Sequence, residues 1–354
     1  MAEVPIRVTQ ILAGHAVGGA EAFFTRLVSA LQTEQTDTSI EQLAILRPHQ
    51  RWLEPLTAAQ VNHETLRFGG IVDLYTPWRL KRLVNDFQPH VVLAWMSRAA
   101  RMAPRAKGRS NPWTLAARLG GYYNLKYYRH CEAFIGNTMG ICDYLVGQGV
   151  DRGRVWHIPN FVDERPVEAA DLSAHGISSN RQIILAAGRL HANKGFDVLI
   201  DAVTKVPDAT LIIAGSGPEE AALRARVSRL GLVDRVFLPG WVDDLAPWLK
   251  AADVFVCASR VEPLGNVVIE AWQRHCAVVS TRAEGPREYM SDGENGLMCG
   301  IDDADEMAAQ IRRVLDEPAL REDLAQAGYQ RYLAEFSQAR VLTRYTEFFE
   351  GVKP

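Results

Sequence analysis

Two permanent cations stand five positions apart in Gly188-Arg189-Leu190-His191-Ala192-Asn193-Lys194-Gly195. They follow the apolar run Ile183-Ile184-Leu185-Ala186-Ala187, which reads as a strand. In open parallel sheets, ligands bind outside the carboxyl ends of strands, where helix N-termini favour anions. On such a loop Arg189 and Lys194 suit a diphosphate, whereas an Arg/Lys pair taken alone is more often two solvated surface charges. A second strand-like run, Val254-Phe255-Val256-Cys257, leads into Ala258-Ser259-Arg260-Val261-Glu262-Pro263-Leu264-Gly265-Asn266-Val267-Val268-Ile269-Glu270. Here Pro263 and Gly265 predict a turn into a helix. The amides of Leu264, Gly265 and Asn266 would then face the ligand edge and hold phosphate oxygens. That leaves Glu262 and Glu270 to accept hydrogen bonds from hydroxyls, although an isolated Glu at this place could equally serve the helix dipole. Ala214-Gly215-Ser216-Gly217-Pro218-Glu219 is a glycine-bearing turn that lets a ligand approach the backbone. It is not a dinucleotide fingerprint: the Gly-x-Gly-x-x-Gly spacing fails at Glu220, and the N-terminal half offers only Gly18-Gly19, which argues against a nicotinamide enzyme.

Loops of this kind need strands and helices in strict alternation, and the chain has them throughout. Strands are expected at 7–12, 41–46, 91–94, 114–117 and 133–136, then again at 183–187, 210–214, 236–238, 254–257 and 277–280. After Gly18-Gly19, the residues Phe23, Phe24, Leu27, Val28 and Leu31 recur with helical period and predict a helix with one apolar face. The periodicity breaks near Ile158-Pro159-Asn160, and the polar stretch through Asn180 reads as a linker with little core of its own. The tail from 305 to 349 reads as helices separated at Pro318. At 354 residues the chain has room for two cores. The expected division is an N-terminal domain at 1–160, a C-terminal domain at 161–335 and a final helix at 336–354 that returns to the first domain.

Composition excludes several classes. With 47% hydrophobic and 23% charged residues the chain is that of a globular protein. No apolar run reaches the roughly 18 residues of a membrane span. The start leads straight into a strand pattern rather than an export signal, so a cytoplasmic protein is expected. The five cysteines are scattered and form no Cys-x-x-Cys pair, so they read as small core residues. Asp243-Asp244 and Asp302-Asp303-Ala304-Asp305 lack the placement of a metal site, and no metal or other cofactor is expected. Net charge is −3, yet eleven basic residues and one acid fall between 76 and 131. The basic residues Arg98, Arg101, Arg105, Lys107 and Arg109 in this stretch are interleaved with aromatics. Nucleic acid is not the expected partner, because no recognised binding motif is present and the overall charge is acidic. An anionic acceptor or an anionic membrane surface fits the patch better.

Taken together, these segments resemble the retaining glycosyltransferases of the GT-B fold, specifically glycosyltransferase family 4. The resemblance rests on Gly188-Arg189-Leu190 with Lys194-Gly195, on Gly215-Ser216-Gly217 and on Gly240-Trp241-Val242. It also rests on Glu262 and Glu270 with seven residues between them, and on Val17-Gly18-Gly19-Ala20-Glu21 in the N-terminal half. It implies an α/β protein with two Rossmann-like domains facing each other across a cleft. It also implies a nucleotide-sugar donor (a UDP-, GDP- or ADP-sugar) and places the basic stretch in the domain that receives the acceptor, where its charge points to an anionic glycan or glycolipid acceptor, with lipopolysaccharide core the leading candidate. Arg189 and Lys194 would neutralise the departing diphosphate and Glu262 would hold the transferred sugar. Glu270 would bind the ribose diol, and Val242 would line the base pocket. Gly18 and Gly19 would let backbone approach the donor. The implied reaction retains the anomeric configuration by front-face attack, with the departing phosphate oxygen assisting removal of the acceptor proton.

The sequence departs from the family where many members place a histidine after an N-domain strand. Here the segment is Ala117-Arg118-Leu119-Gly120-Gly121-Tyr122, and His15 is the one N-domain histidine near the expected site. A nucleotide-sugar epimerase can use the same fold, but it needs acid and base residues aimed at the sugar ring, and no clear set is present. An inactive sugar-nucleotide-binding module would be expected to lose Arg189, Lys194 or Glu262, all of which the chain retains.

Overall fold

The computed structural model describes residues 4–14, 18–34, 38–69, 73–105, 112–177 and 181–354. They divide into two compact units, Met1–Phe161 with Gln338–Pro354, and Val162–Ser337.

In the first unit the strands are β1 (Ile6–Leu12), β2 (Ile40–Leu46), β3 (His63–Thr65), β4 (Val91–Trp95), β5 (Thr114–Leu119), β6 (Ala133–Gly136) and β7 (Val155–His157). The helices are α1 (Gly19–Thr33), α2 (Gln50–Ala58), α3 (Tyr75–Phe87), α4 (Met96–Met102) and α5 (Met139–Gly147). The sheet is parallel, in the order β3-β2-β1-β4-β5-β6-β7. Its central strands are covered on both faces, which is why Val91 to Trp95 reads as an unbroken apolar run with every residue buried. The expected face of α1 packs inward, with Phe23, Phe24, Leu27, Val28 and Leu31 buried.

The second unit repeats the plan with β8 (Gln182–Ala187), β9 (Ala209–Ala214), β10 (Val236–Gly240), β11 (Val254–Cys257), β12 (Ala277–Thr281) and β13 (Leu297–Cys299). Its helices are α6 (Phe196–Val203), α7 (Glu220–Arg229), α8 (Ala246–Ala251), α9 (Asn266–Gln273), α10 (Glu284–Tyr289), α11 (Ala304–Asp316) and α12 (Pro318–Glu335). The parallel order is β10-β9-β8-β11-β12-β13. In each sheet the order reverses once, between β1 and β4 and between β8 and β11, the place at which open α/β sheets bind ligands.

The last helix, α13 (Gln338–Val352), belongs to the first unit and buries Val341, Leu342, Tyr345, Phe348 and Phe349 in its core. A buried cation secures it. Arg118, on β5, donates Nε to Tyr345 Oη at 2.9 Å and Nη2 to Asn160 Oδ1. Its guanidinium lies 4.8 Å from the Phe23 ring centre and 4.6 Å from that of Trp95.

Three sequence expectations are corrected. The stretch read as a linker carries core: Val162, Leu172 and Ile177 are buried with Leu185, Phe255 and Trp272 of the second unit. Three strands, β3, β7 and β13, were not anticipated; each is three residues long at a sheet edge, too short to show a period. Third, one of the eleven basic residues between 76 and 131 is interior, and two others carry ion pairs. Arg118 is interior, Arg79 pairs with Glu64 at 3.5 Å, and Arg82 pairs with Asp86 at 3.6 Å. All five cysteines are buried thiols. Among the described residues no helix is long and apolar enough to cross a membrane.

Candidate functional site

At the reversal point of the second sheet, the loops leaving β8 and β11 meet. Gly195 is the hinge of the first: its φ of 62° is left-handed, and a Cβ there would lie 2.1 Å from the Ala258 carbonyl oxygen. Arg260 and Val261 donate their amides to Asn193 O at 2.7 and 3.2 Å, sewing the two loops together. The Arg260 guanidinium reinforces the seam with bonds to Asp197 Oδ1 and Oδ2 at 2.9 and 2.8 Å, to Asp302 Oδ1 at 2.6 Å and to Ala192 O at 2.6 Å. The Asp197 hydrogen bond, outweighing burial, raises the guanidinium above its ordinary value, so the seam stays charged.

This seam brings Lys194 and Glu262 into an ion pair, Lys194 Nζ to Glu262 Oε2. Ser259 Oγ donates to the same carboxylate oxygen at 3.0 Å. Glu262 is 8% exposed, and the Lys194 side chain 24%. An ammonium has three donors, so one bond to Glu262 fixes its position and leaves two for a ligand. Arg189, on the same loop, is exposed and makes no ion pair among the described residues. Together these groups can hold an oxyanion beside a fixed carboxylate.

The turn after Glu262 is held from beneath by Tyr289, whose hydroxyl donates to Leu264 O at 2.7 Å. Burial foremost, with Cys257 and Glu262 adding to it, pushes the Tyr289 phenol well above its ordinary value and keeps it a neutral donor. Gly285 donates its amide to Glu262 O at 2.8 Å. Gly265 is the N-cap of α9 at φ 83°, with no side-chain cap. Leu264 and Gly265 are buried; Asn266 and Glu270, in the first five residues of α9, are half-buried. Ser259 and Tyr289 were not singled out from the sequence. Ser259 lies inside the segment already chosen, but Tyr289 is distant in sequence and nothing local marks it.

The loop after β9 interlocks with the first. Gly188 N donates to Ala214 O at 3.0 Å, Leu190 N to Ser216 O at 2.9 Å, and Gly215 N to Gly240 O at 2.7 Å. A Cβ at Gly217 would lie 2.3 Å from Leu190 O. Gly215 and Gly217 therefore let two backbones meet beneath Arg189. Val242, two residues beyond β10, is half-buried against the core.

In the first unit, Gly18 caps α1 in extended backbone and Gly19 begins the helix. A Cβ at Gly18 would stand 2.2 Å from Glu21 Oε2, and one at Gly14 2.0 Å from Glu21 Oε1. These glycines make room for the buried carboxylate of Glu21. Arg98 and Arg101, on α4, and Arg105 are exposed. His15, Lys107 and Arg109 lie outside the described residues. Among the described residues no group of three or more His, Cys, Asp or Glu side chains is arranged to hold a metal ion.

A family model described as "Glycosyl transferases group 1" matches residues 168–331. The lipopolysaccharide core biosynthesis glycosyltransferase LpsE of Rhizobium meliloti (strain 1021) is 36% identical over 332 residues, covering 93% of this chain and 95% of that protein. LpsD of the same organism, carrying the same description, is 34% identical over 338 residues, covering 94% and 95%. The crystal structure of Anabaena Alr3699/HepE in complex with UDP and glucose superimposes with a TM-score of 0.80 at 19% identity, covering 98% of this chain and 99% of that one. Two parallel six- and seven-stranded units, interlocked loops at the second unit's reversal point and near-complete alignment with LpsE and LpsD lead to one assignment: the chain belongs to the group 1 glycosyltransferases and has the GT-B fold.

Proposed function

We propose that this glycosyltransferase moves a sugar, with retention, from a nucleotide-diphosphate sugar to an anionic glycan or glycolipid of the lipopolysaccharide core. The observation that carries the reading is the Lys194–Glu262 pair beside Arg189 at the reversal point of the second sheet. As the bond from the anomeric carbon to the diphosphate breaks, the electron pair leaves with the phosphate oxygen. Lys194 and Arg189 stabilise that charge, the kind of preorganised electrostatics that dominates many enzymatic rate enhancements. Glu262, held by Lys194 and Ser259, accepts hydroxyl hydrogen bonds from the transferred sugar. The α9 N-terminus with Leu264, Gly265 and Asn266 receives phosphate oxygens. Glu270 takes the ribose diol and Val242 borders the base. The departing phosphate oxygen takes the acceptor proton, so no protein nucleophile is required.

Uridine is the leading donor base, supported by the UDP complex of the Anabaena structure; the LpsE and LpsD descriptions support the core acceptor. A cytoplasmic enzyme working at the inner leaflet fits this acceptor, with the exposed Arg101 and Arg105 contributing about 1 kcal/mol each to attraction by anionic lipid.

A thermal-shift panel of UDP, GDP, ADP and their sugars tests the donor reading. One nucleotide at 100 times its Kd adds about 2.7 kcal/mol of stability, a rise of several degrees. No rise with any nucleotide would refute it. Because two protein cations supply the charge that a metal would otherwise bring, transfer is expected to proceed undiminished in excess chelator. Activity lost to chelator and restored by magnesium or manganese would show the opposite.

A further inference from the structure

Over the carboxyl end of β1, two guanidiniums converge that the donor chemistry does not use. Arg47 follows β2 directly and Arg98 sits in α4 directly after β4, the two strands flanking β1. Arg47 donates Nη1 to Gly14 O at 3.3 Å and Nη2 to Phe68 O. Arg98 Nη1 reaches the same Phe68 carbonyl at 3.5 Å. Phe68 turns that carbonyl toward both cations through a left-handed backbone, φ 46°, uncommon for a bulky residue.

Among the described residues no carboxylate forms an ion pair with Arg47 or Arg98, and Arg47 Nε is buried without a hydrogen-bond partner. The nearby Asp73 is engaged elsewhere, accepting from Gly69 N at 2.6 Å and from Thr76 N and Oγ1 at 2.9 and 2.6 Å. Burial first, then the like charge of Arg98, holds the Arg47 guanidinium below its ordinary value. Two like charges drawn together without a counter-charge are unfavourable unless an anion joins them.

We propose that Arg47 and Arg98 form an anion subsite for a phosphate group carried by the acceptor glycan. Guanidinium forks match the tetrahedral oxygens of a phosphate monoester, which offers acceptors to both at once. The subsite lies at the reversal point of the first sheet, where open α/β sheets bind ligands. It rests on the acceptor being anionic, as proposed above, and names which anion and which residues.

The test is calorimetric titration with glucose 6-phosphate, and with glucose as the neutral control, on the full chain saturated with UDP so that the donor site is filled. Wild-type protein should bind glucose 6-phosphate at least tenfold more tightly than glucose. Arg98→Gln, at an exposed position, and Arg47→Gln should each abolish that preference while leaving UDP affinity within twofold. Because Arg47 also holds two carbonyls, Arg98→Gln decides the matter if Arg47→Gln unfolds early. Equal binding by wild type and Arg98→Gln, or no phosphate preference in wild type, overturns the subsite. Failure of wild type to bind UDP would instead strike the donor reading. Vesicles of phosphatidylcholine with phosphatidylglycerol separate a glycan phosphate from a lipid headgroup. Undiminished vesicle binding by Arg98→Gln supports the glycan source. Vesicle binding lost without any effect on glucose 6-phosphate overturns it.

Discussion

Lys194→Ala and Glu262→Ala each lower sugar transfer by about 100-fold or more, the loss expected when charge stabilisation in the transition state is removed. The ion pair between them makes the expectation sharper than two separate losses. Residues that act as one unit are non-additive, so the double variant should be little worse than the poorer single one. Stability should divide them. Lys194→Ala strands a carboxylate whose side chain is only 10% exposed, whereas Glu262→Ala strands an ammonium that is 24% exposed and free to reach solvent. Breaking a fully buried pair costs about 3–5 kcal/mol. Lys194→Ala should approach the lower end of that range, and Glu262→Ala should fall well below it. Steady-state kinetics with the donor found in the nucleotide panel, beside thermal midpoints of all three variants, check both. Near-normal turnover in either single variant would remove the pair from the chemistry.

Much of this architecture can be read from the sequence because parallel strands covered on both faces leave an unmistakable trace. Ile183-Ile184-Leu185-Ala186-Ala187 is almost wholly apolar because it lies at the centre of its sheet, and the loop it feeds must therefore open at the carboxyl edge. Edge strands leave no such trace. The three residues of β13, Leu297 to Cys299, are buried but too few for a period to show. The segment through Asn180 misled for a related reason: Val162, Leu172 and Ile177 reach the core singly, spaced along irregular backbone that carries no periodic signal. In the candidate site, residues on adjoining strand ends were recognisable as charges on a ligand-facing edge. What sequence could not supply was their pairing. Nothing in the spacing of Lys194 and Glu262 says that they touch, or that Tyr289 holds the turn between Glu262 and α9 from below. The basic stretch shows the limit of a charge count, since Arg118 adds to the sum in the sequence but lies against Phe23 and Trp95 in the fold.

Gly215→Ala is expected to reduce UDP affinity tenfold or more in a protein that still folds. Two effects combine at this position. Its φ of 149° lies where side chains are rarely accommodated, and strain of that type costs about 1–3 kcal/mol. Beyond the strain, the new Cβ would stand 1.9 Å from Gly188 O and 2.9 Å from Gly188 C, both backbone atoms that no rotamer change can move aside. The loop from Gly188 to Leu190 must therefore retreat, breaking the bonds from Gly188 N to Ala214 O and from Leu190 N to Ser216 O, and Arg189 retreats with it. Gly231→Ala isolates the strain from the collision. Its φ is 68°, also left-handed, but nothing lies within 4 Å of the added carbon. That variant should lose about 1–2 kcal/mol of stability and bind UDP like the wild type. Calorimetric UDP titrations and thermal midpoints for the two variants side by side distinguish a loop that serves the donor from one that merely folds. Equal UDP affinity in Gly215→Ala and wild type would mean that the loop carrying Arg189 can move without consequence, and the diphosphate would have to be held by Lys194 and the α9 N-terminus alone.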